Sequence, residues 1–334
     1  MAGLTIYDPQ ATMNTIHLQK ADLSVFTQQI EDSSGNDTSS AEEGAAVGAW
    51  DLVTLKLPSV DGSINYSTPG DPTKTQQMTS TYMILVDLDT NEIVAERDCE
   101  KVVSPASMTK ILTVMTARDF IDETTMNDTF VITEDITEYV RKNDCSAVGF
   151  LPGDEVTVTD LLYGTILPSG ADAAKGLARF CCGSEEAFVD AMNKKVEELG
   201  LSETAHFTNV VGMYDSDLHC TMKDMSVILG VAVQDDILRD VLSARTYTTT
   251  TTYEDLDMPD GITVSNWFLR KIEDKDMNGT VVAAKTGFVN EAGCCAASYY
   301  EADNGKRYVC VTGNSFSSWR TIYDHLAIYR SLVP

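Results

Sequence analysis

Basic residues are scarce in this sequence: 24 Lys and Arg stand against 51 Asp and Glu, giving a formal net charge of -27. Nucleic-acid binding depends on clustered Lys and Arg that neutralise phosphates, so this composition argues against a nucleic-acid partner. It argues equally against an electrostatic hold on anionic lipid. A solvated acidic surface is the simpler interpretation, and an anionic ligand would have to be met by locally placed cations.

Long hydrophobic runs and targeting segments are also missing. No stretch is long enough to span a bilayer, and the run Val227–Val233 is typical of a core helix. The start, Met1-Ala2-Gly3-Leu4, has neither the basic flank nor the apolar segment of a secretory signal. If the protein works outside the cell, its export signal is therefore expected to be absent from the sequence given.

Motifs for metals and redox chemistry are scarce as well. The eight cysteines include no Cys-x-x-Cys pair, which disfavours a zinc ribbon or a thioredoxin-type site. Buried free thiols are predicted, and disulfides between separated cysteines are left open in an oxidising compartment. The four histidines show no metal-binding spacing, so we expect structural or surface roles for them and neither a metal nor a cofactor.

The composition changes along the chain. The sequence has 334 residues and 43% hydrophobic content, enough for a substantial core. Residues 1–80 are predicted to be an N-terminal extension that carries no chemistry. They include a linker-like segment at 31–48, rich in Ser, Asp, Glu, Gly and Ala, and a strand at 50–57. Residues 81–334 are predicted to be the catalytic domain, with a mostly helical insertion at about 120–245.

The pattern of predicted elements favours an α+β fold. A hairpin is expected at 83–97, and late strands at 281–286, 294–300 and 307–312. Helices are expected at 157–166, 171–182, 185–199 and 319–332. Strands thus come from both ends of this region and helices from its middle. This arrangement is typical of an antiparallel sheet flanked by helices, with a helical subdomain.

The first chemical motif is Ser107-Met108-Thr109-Lys110. Side chains three residues apart are neighbours only on a helix, and the local sequence predicts one. Ser104 can cap it, Pro105 suits its first position, and an apolar run continues it. Ser107 would then lie in the first turn, where the helix dipole favours the negative charge that develops on a nucleophilic oxygen.

Two further motifs follow, Ser169-Gly170-Ala171 and Lys285-Thr286-Gly287. A Ser-x-x-Lys match alone is expected about once by chance in a chain of this length, and Lys-Thr-Gly in roughly one chain in ten. The order of the three motifs and their structural context make coincidence an unsatisfactory explanation. Together they describe a serine nucleophile that is activated by lysine.

At these residues the chain resembles the penicillin-recognising serine enzymes, and among them the low-molecular-mass D-alanyl-D-alanine carboxypeptidases of serine peptidase family S11. The likeness extends to the flanks of the motifs and covers about residues 81–332. It implies a β-lactamase/transpeptidase-like fold. It also implies a secreted cell-wall hydrolase that trims peptidoglycan stem peptides ending in D-Ala-D-Ala and is acylated by β-lactam antibiotics. The expected location is extracellular, at the bacterial cell envelope.

The resemblance implies a role for each motif residue. Ser107 would attack the carbonyl of the penultimate D-alanine, Lys110 would take its proton, and Ser169 would pass a proton to the leaving amine. Backbone N–H groups of Ser107 and Phe288 would form the oxyanion hole. Lys285 and Thr286 would hold the terminal carboxylate of the substrate, and Gly287 would allow it to approach the strand closely.

One position departs from the family pattern. The second motif usually reads Ser-x-Asn, whose amide contacts the first-motif lysine and the substrate, whereas here Ala171 stands in the third place. Asp172 is one residue out of register. We expect Ala171→Asn to leave acylation intact or to raise it.

Other functions are weighed against this one. A class A β-lactamase would carry Ser-Asp-Asn and a Glu-x-x-Leu-Asn element, and both are missing here. Lys285 counts against an esterase on the same scaffold, because it favours a carboxylate ligand. The stretch Gly313–Ser317 fails the Gly-x-Ser-x-Gly pattern of α/β-hydrolases. A non-catalytic peptidoglycan-binding relative stays open, because Ala171 replaces a residue that contacts the catalytic lysine.

Overall fold

Strands in the described part of the chain form one main sheet and three small ribbons. This computed structural model describes residues 63–64, 76–253 and 260–333. The linker predicted at 31–48 and the strand predicted at 50–57 lie outside the described residues. The division of the chain at residue 80 stays a prediction.

The main sheet is antiparallel throughout. In chain order the described strands are β1 (Ser63–Ile64), β2 (Gln76–Gln77), β3 (Tyr82–Asp87), β4 (Glu92–Arg97), β5 (Thr129–Val131), β6 (Glu155–Thr157), β7 (Thr246–Thr248), β8 (Thr263–Ser265), β9 (Gly279–Val289), β10 (Gly293–Ala302) and β11 (Arg307–Ser315). Five of them form the main sheet in the order β4-β3-β11-β10-β9. The ribbons pair β1 with β2, β5 with β6, and β7 with β8. β9 is therefore an edge strand of the main sheet.

The described helices are α1 (Thr109–Ala117), α2 (Glu134–Lys142), α3 (Val158–Ile166), α4 (Ala171–Cys182), α5 (Glu185–Glu198), α6 (Met222–Ala232), α7 (Asp236–Ser243), α8 (Trp267–Ile272) and α9 (Ser318–Leu332). Four of them, α3, α4, α5 and α9, match the predicted ranges to within one residue at each end. Thr157 and Asp160 form a capping box at the start of α3. Gly183, with φ +75°, ends α4. None of the described helices is both long and apolar enough to cross a bilayer.

Helices cover both faces of the main sheet. On one face α8 and α9 close an apolar cluster in which Tyr300 stacks on Tyr329, with ring centroids 4.1 Å apart. Strand residues Ala284 and Ala296 face this cluster. Because side chains alternate along a strand, Lys285 points to the opposite face. There α6 packs on β3, β10 and β11, and α1 packs on α6. The predicted α+β fold, an antiparallel sheet flanked by helices, is confirmed.

The turn before α1 leaves no room beside residue 212. Ala106 has a left-handed backbone with φ +49°, and Gly212 approaches it with φ +79°. A Cβ atom on Gly212 would lie 1.9 Å from the carbonyl oxygen of Ala106. Only glycine fits this position, for its backbone conformation and for the space around it.

Gly212→Ala is therefore expected to lower the free energy of unfolding by roughly 3 kcal/mol, because overpacking adds to the cost of a left-handed alanine. Urea denaturation measures the change. Gly183→Ala is the matched control: its φ is +75° and no atom lies within 4 Å of the added Cβ. The control should lose about 1 kcal/mol. Equal losses in the two variants would contradict the close approach at Ala106.

Candidate active site

Ser107 lies in a single 3-10 turn, Ala106–Met108, that leads into α1. The sequence predicted that the helix begins at Pro105. In the structure α1 begins at Thr109, because the left-handed conformation of Ala106 interrupts the helical backbone after Pro105. Ser104 Oγ accepts a hydrogen bond from the N–H of Ala106 at 3.4 Å and so supports this turn rather than capping α1. The expected proximity of Ser107 and Lys110 is nevertheless retained.

Lys110 is buried, with 2% of its surface exposed, and its amine points at the nucleophile candidate. Lys110 Nζ donates hydrogen bonds to Ser107 Oγ at 3.1 Å and to the carbonyl oxygen of Val211 at 2.7 Å. Ser107 Oγ also lies 3.4 Å from the same carbonyl. The hydroxyl and the amine are thus within proton-transfer distance. The carbonyl oxygen of Val211, in the loop before α6, holds the amine in place.

Ser169 belongs to the loop between α3 and α4. Pro168 lies beyond the end of α3, and Ser169 takes a left-handed backbone with φ +63° before α4 begins at Ala171. Its hydroxyl accepts a hydrogen bond from Lys285 Nζ at 2.8 Å. The same amine donates to the carbonyl oxygen of Thr286 at 2.8 Å. The second and third motifs therefore meet through one buried lysine.

The third motif lies on the edge strand β9, directly beside Ser107. A Cβ atom on Gly287 would lie 2.9 Å from the backbone nitrogen of Ser107 and 3.0 Å from the carbonyl oxygen of Pro105. The lack of a side chain at Gly287 therefore leaves the N–H of Ser107 uncovered. Cys295, on the neighbouring strand, donates from its thiol to the carbonyl oxygen of Gly287 at 3.4 Å and supports this segment from behind.

One cavity of about 270 Å³ brings the motifs together. Six predicted site residues line it: Ser107, Lys110, Ser169, Thr286, Gly287 and Phe288. Lys285 is not among the lining residues, but its amine donates a hydrogen bond to the hydroxyl of Ser169, which does line the cavity. Further lining residues carry no sequence motif: Asp144, Cys145, Ser146, Val211, Met213, Trp267, Cys294, Ser318 and Thr321. They come from loops, from the first turns of α8 and α9 and, for Cys294, from the start of strand β10, and only the tertiary fold brings these segments together.

Burial sets the protonation of the two lysines. It lowers the pKa of Lys110 to about 7, although the nearby Cys145 and Asp172 oppose the shift. Burial also holds the pKa of Lys285 well below its usual range, and the positive charge of Lys110 lowers it further. Lys110 can therefore lose its proton near neutral pH, as a general base must.

Neither Ala171 nor Asp172 replaces the amide of the usual Ser-x-Asn motif. The methyl group of Ala171 lines the cavity and offers no polar atom to Lys110. The Asp172 carboxylate turns away and accepts hydrogen bonds from the backbone N–H groups of Val148, Gly149 and Phe150 at 3.0, 2.9 and 3.3 Å. It fixes the loop that precedes β6 and is not a substitute for the missing amide.

None of the described histidines lines this cavity, whereas three of the eight cysteines do. His325 is buried between Ser298 and Thr312, and burial lowers its pKa to about 4. No group of three or more His, Cys, Asp and Glu side chains suited to a metal occurs among the described residues. All eight cysteines, which lie within the described ranges, are free thiols, and six of them are buried. Cys145, Cys294 and Cys295 line the cavity.

Solved structures share this fold. The Streptomyces K15 DD-transpeptidase superposes with a TM-score of 0.69 at 24% identity, over 76% of this chain and 96% of that protein. A D-alanyl-D-alanine carboxypeptidase from Mycobacterium tuberculosis H37Rv gives a TM-score of 0.65 at 24% identity, over 80% of this chain and 94% of the other. At this identity the likeness establishes the fold.

The family follows from the sequence match. The family model described as D-alanyl-D-alanine carboxypeptidase, peptidase family S11, matches residues 68–316. This chain belongs to that family.

Two relatives illustrate the distance within the family. D-alanyl-D-alanine carboxypeptidase DacF of Bacillus subtilis is 28% identical over 70% of this chain and 57% of its own length. DacC of Escherichia coli is 34% identical over 46% of this chain and 39% of its own length. The chain thus spans about half the length of the curated relatives that it matches.

The Asp172 contacts lead to a testable expectation. Asp172→Ala should lower the free energy of unfolding by roughly 3 kcal/mol, because three N–H groups, two of them on the buried residues Val148 and Phe150, lose a charged acceptor. It should also speed amide hydrogen exchange at residues 148–150. The exposed Asp190→Ala on α5 is the control and should change stability by less than about 0.5 kcal/mol. Unchanged exchange at 148–150 would mean that Asp172 does not hold the loop.

Proposed function

We propose that this chain is a serine-type D-Ala-D-Ala carboxypeptidase that forms an acyl-enzyme on Ser107. The observation that carries the proposal is the pair of hydroxyl–lysine contacts at one cavity, Ser107 with Lys110 and Ser169 with Lys285. Burial without a carboxylate partner makes these amines suited to proton transfer. Membership of the D-alanyl-D-alanine carboxypeptidase family supports the choice of substrate.

In the acylation step Ser107 Oγ attacks the carbonyl carbon of the penultimate D-alanine. The neutral Lys110 amine takes the hydroxyl proton as the new C–O bond forms. When the peptide C–N bond breaks, a proton passes to the leaving D-alanine amine, with Ser169 as the relay. Water then hydrolyses the ester, which releases the shortened peptide and restores Ser107.

The remaining motif residues would stabilise the two negative charges of the reaction, the oxyanion and the terminal carboxylate of the substrate. The uncovered N–H of Ser107 and the N–H of Phe288 would stabilise the oxyanion of the tetrahedral intermediate. Thr286 lines the cavity and would hold the terminal carboxylate, with the amine of Lys285 supplying positive charge from behind Ser169. A bound carboxylate would favour the charged form of Lys285 and so offset the effect of its burial.

The substrate determines the partners and the location that we propose. Peptidoglycan stem peptides lie outside the cytoplasmic membrane, so the enzyme would act at the bacterial cell envelope. β-Lactams, as mimics of the D-Ala-D-Ala end, would acylate the same serine. A non-catalytic peptidoglycan-binding role is the second candidate. The observation that favours it is that Ala171, which lines the cavity, has no polar side-chain atom.

Benzylpenicillin should give a lasting covalent adduct on Ser107, found by intact mass and peptide mapping. The same preparation should release D-alanine from a D-Ala-D-Ala peptide. Ser107→Ala should lose both reactions, and the exposed Ser202→Ala should keep them. Absence of an adduct with unchanged penicillin would favour the binding role. Loss of free penicillin without an adduct would favour a β-lactamase.

The acylation rate should rise with pH through about 7, the pKa to which burial lowers Lys110. Lysine is a base only when neutral, so below this midpoint the rate should fall about tenfold per pH unit. The second-order rate of benzylpenicillin acylation, followed between about pH 5 and pH 9, measures the profile. Circular dichroism at each pH controls for unfolding, and a flat profile in folded protein would exclude Lys110 as the base.

A further inference from the structure

His206 and His219 lie directly opposite each other in an isolated antiparallel bridge. Each backbone N–H donates to the carbonyl oxygen of the other residue, at 2.8 and 2.9 Å. Side chains of directly opposite residues project from the same face of such a pair. His206 is exposed and His219 is half-buried. The residues on either side of each histidine are buried: Ala205, Phe207, Leu218 and Cys220. The two imidazoles therefore share one face that solvent reaches.

The two imidazole rings are close enough to share one metal ion. Their centroids lie 6.2 Å apart, and their planes are inclined by 41°. A metal–nitrogen bond is about 2.0 Å long, so two imidazoles on one ion have ring centroids roughly 5 to 6 Å apart. Exposed side chains change rotamer readily, so a small rotation of His206 closes the remaining gap.

The ring of His219 already has the orientation that a metal ligand needs. Its Nδ1 lies 2.8 Å from the carbonyl oxygen of Asp217. A carbonyl oxygen only accepts hydrogen bonds, so in the neutral ring Nδ1 carries the proton and Nε2 keeps the lone pair for a metal. The same contact, an imidazole N–H donated to a backbone carbonyl, fixes ligating histidines in metalloproteins.

The surroundings of the pair favour a cation. Asp215 and Asp217 lie in the exposed turn that leads into His219, and the chain as a whole carries a net charge of -27. Imidazole nitrogen suits late first-row divalent ions, whereas Mg²⁺ and Ca²⁺ take oxygen ligands. Within the described ranges no third His, Cys, Asp or Glu side chain joins the pair in a group suited to a metal. Water would therefore complete the coordination, and binding should be weaker than at a four-ligand structural site.

The bridge also closes a loop, residues 207–218, that reaches the active site. The carbonyl oxygen of Val211 in this loop accepts the hydrogen bond from Lys110 Nζ at 2.7 Å. Asn209 Oδ1 accepts hydrogen bonds from three N–H groups of the same loop, at 3.2, 2.7 and 3.1 Å. An ion held by both histidines would join the two ends of this loop in addition to the backbone hydrogen bonds.

We propose that His206 and His219 bind one late first-row divalent metal ion, which clamps the base of the 207–218 loop. The site is separate from the active-site cavity, because neither histidine lines that cavity. The inference does not depend on acylation of Ser107. Local sequence spacing carries no sign of this pair, because only the antiparallel bridge brings the two histidines together.

Ni²⁺ is the probe for this site, because zinc would also bind the free thiols of the unfolded chain. Equilibrium dialysis of the folded full chain, without an affinity tag, should show one strongly bound Ni²⁺ ion. At free Ni²⁺ about a hundredfold above the dissociation constant, the melting temperature should rise by about 5 to 10 °C. Mg²⁺ at the same concentration should give no rise.

His206→Gln and His219→Gln should each weaken Ni²⁺ binding at least about tenfold, since even changes around a metal ligand have effects of that size. Their melting temperatures without metal should stay within about 2 °C of the wild type, because both side chains lie on the solvent-facing side. His17→Gln, at a histidine outside the described residues, is the matched control and should bind Ni²⁺ like the wild type. Ni²⁺ should slow amide hydrogen exchange at 206–219 in the wild type and the control, but not in the two site variants.

Several outcomes would overturn the inference. Ni²⁺ binding that persists in either site variant would mean that the two histidines do not share an ion. A rise in melting temperature with Mg²⁺ equal to that with Ni²⁺ would assign the cation to carboxylates. Binding without slower exchange at 206–219 would exclude the clamping role. Benzylpenicillin acylation of the same preparations keeps the two proposals apart: if the wild type binds Ni²⁺ as expected but is not acylated, the metal site is supported and the proposed function fails.

Discussion

Two lysine amines buried at one cavity are the constraint on which the site depends. Lys110 and Lys285 are each 2% exposed, and neither forms a salt bridge within the described ranges. Burying an unpaired ammonium is costly, so such a group loses its proton more readily than it would in water. The cost has a chemical consequence, because it makes a neutral amine available at a pH where an exposed lysine is charged. Hydroxyl and carbonyl oxygens around the amines limit the cost without neutralising them.

The main sheet and the helices on it make this burial possible. Lys110 extends from α1, which packs between the sheet-covering α6 and the helical section, whereas Lys285 extends from the edge strand β9. The α3–α4 loop brings the Ser169 hydroxyl to the Lys285 amine. A helix start, a tight loop and a strand edge each expose backbone or side-chain groups that regular elements would occupy, and here the three meet at one cavity.

The spacing of the first motif predicted the contact between Ser107 and Lys110, whereas the surroundings of the site carry no sequence signal. Short motifs supplied four polar residues of the site, Ser107, Lys110, Ser169 and Lys285. Only in the first motif does the spacing itself predict a contact, because residues three apart are neighbours on a helix. The bond between Lys285 and Ser169 joins residues 116 positions apart and has no local signal.

Several other features depend on the tertiary fold in the same way. Cys145 and Trp267 reach the cavity from segments with no motif. The ribbons β5–β6 and β7–β8 are three residues per strand, too short for a clear alternation. The left-handed conformation of Ala106 has no sequence signal, because glycine, the residue that usually marks this conformation, is absent there.

That conformation also bears on how the protein balances stability against function. Two residues of the site that are not glycine adopt positive φ values: Ala106, immediately before the nucleophile, and Ser169, in the second motif. Each costs about 1 kcal/mol relative to an ordinary backbone, and the surrounding fold must compensate. The fold therefore gives up stability at its reactive centre. A search for stabilising substitutions across this chain would be drawn to these two positions, and the variants that it selected there would tend to be sturdier proteins and poorer catalysts.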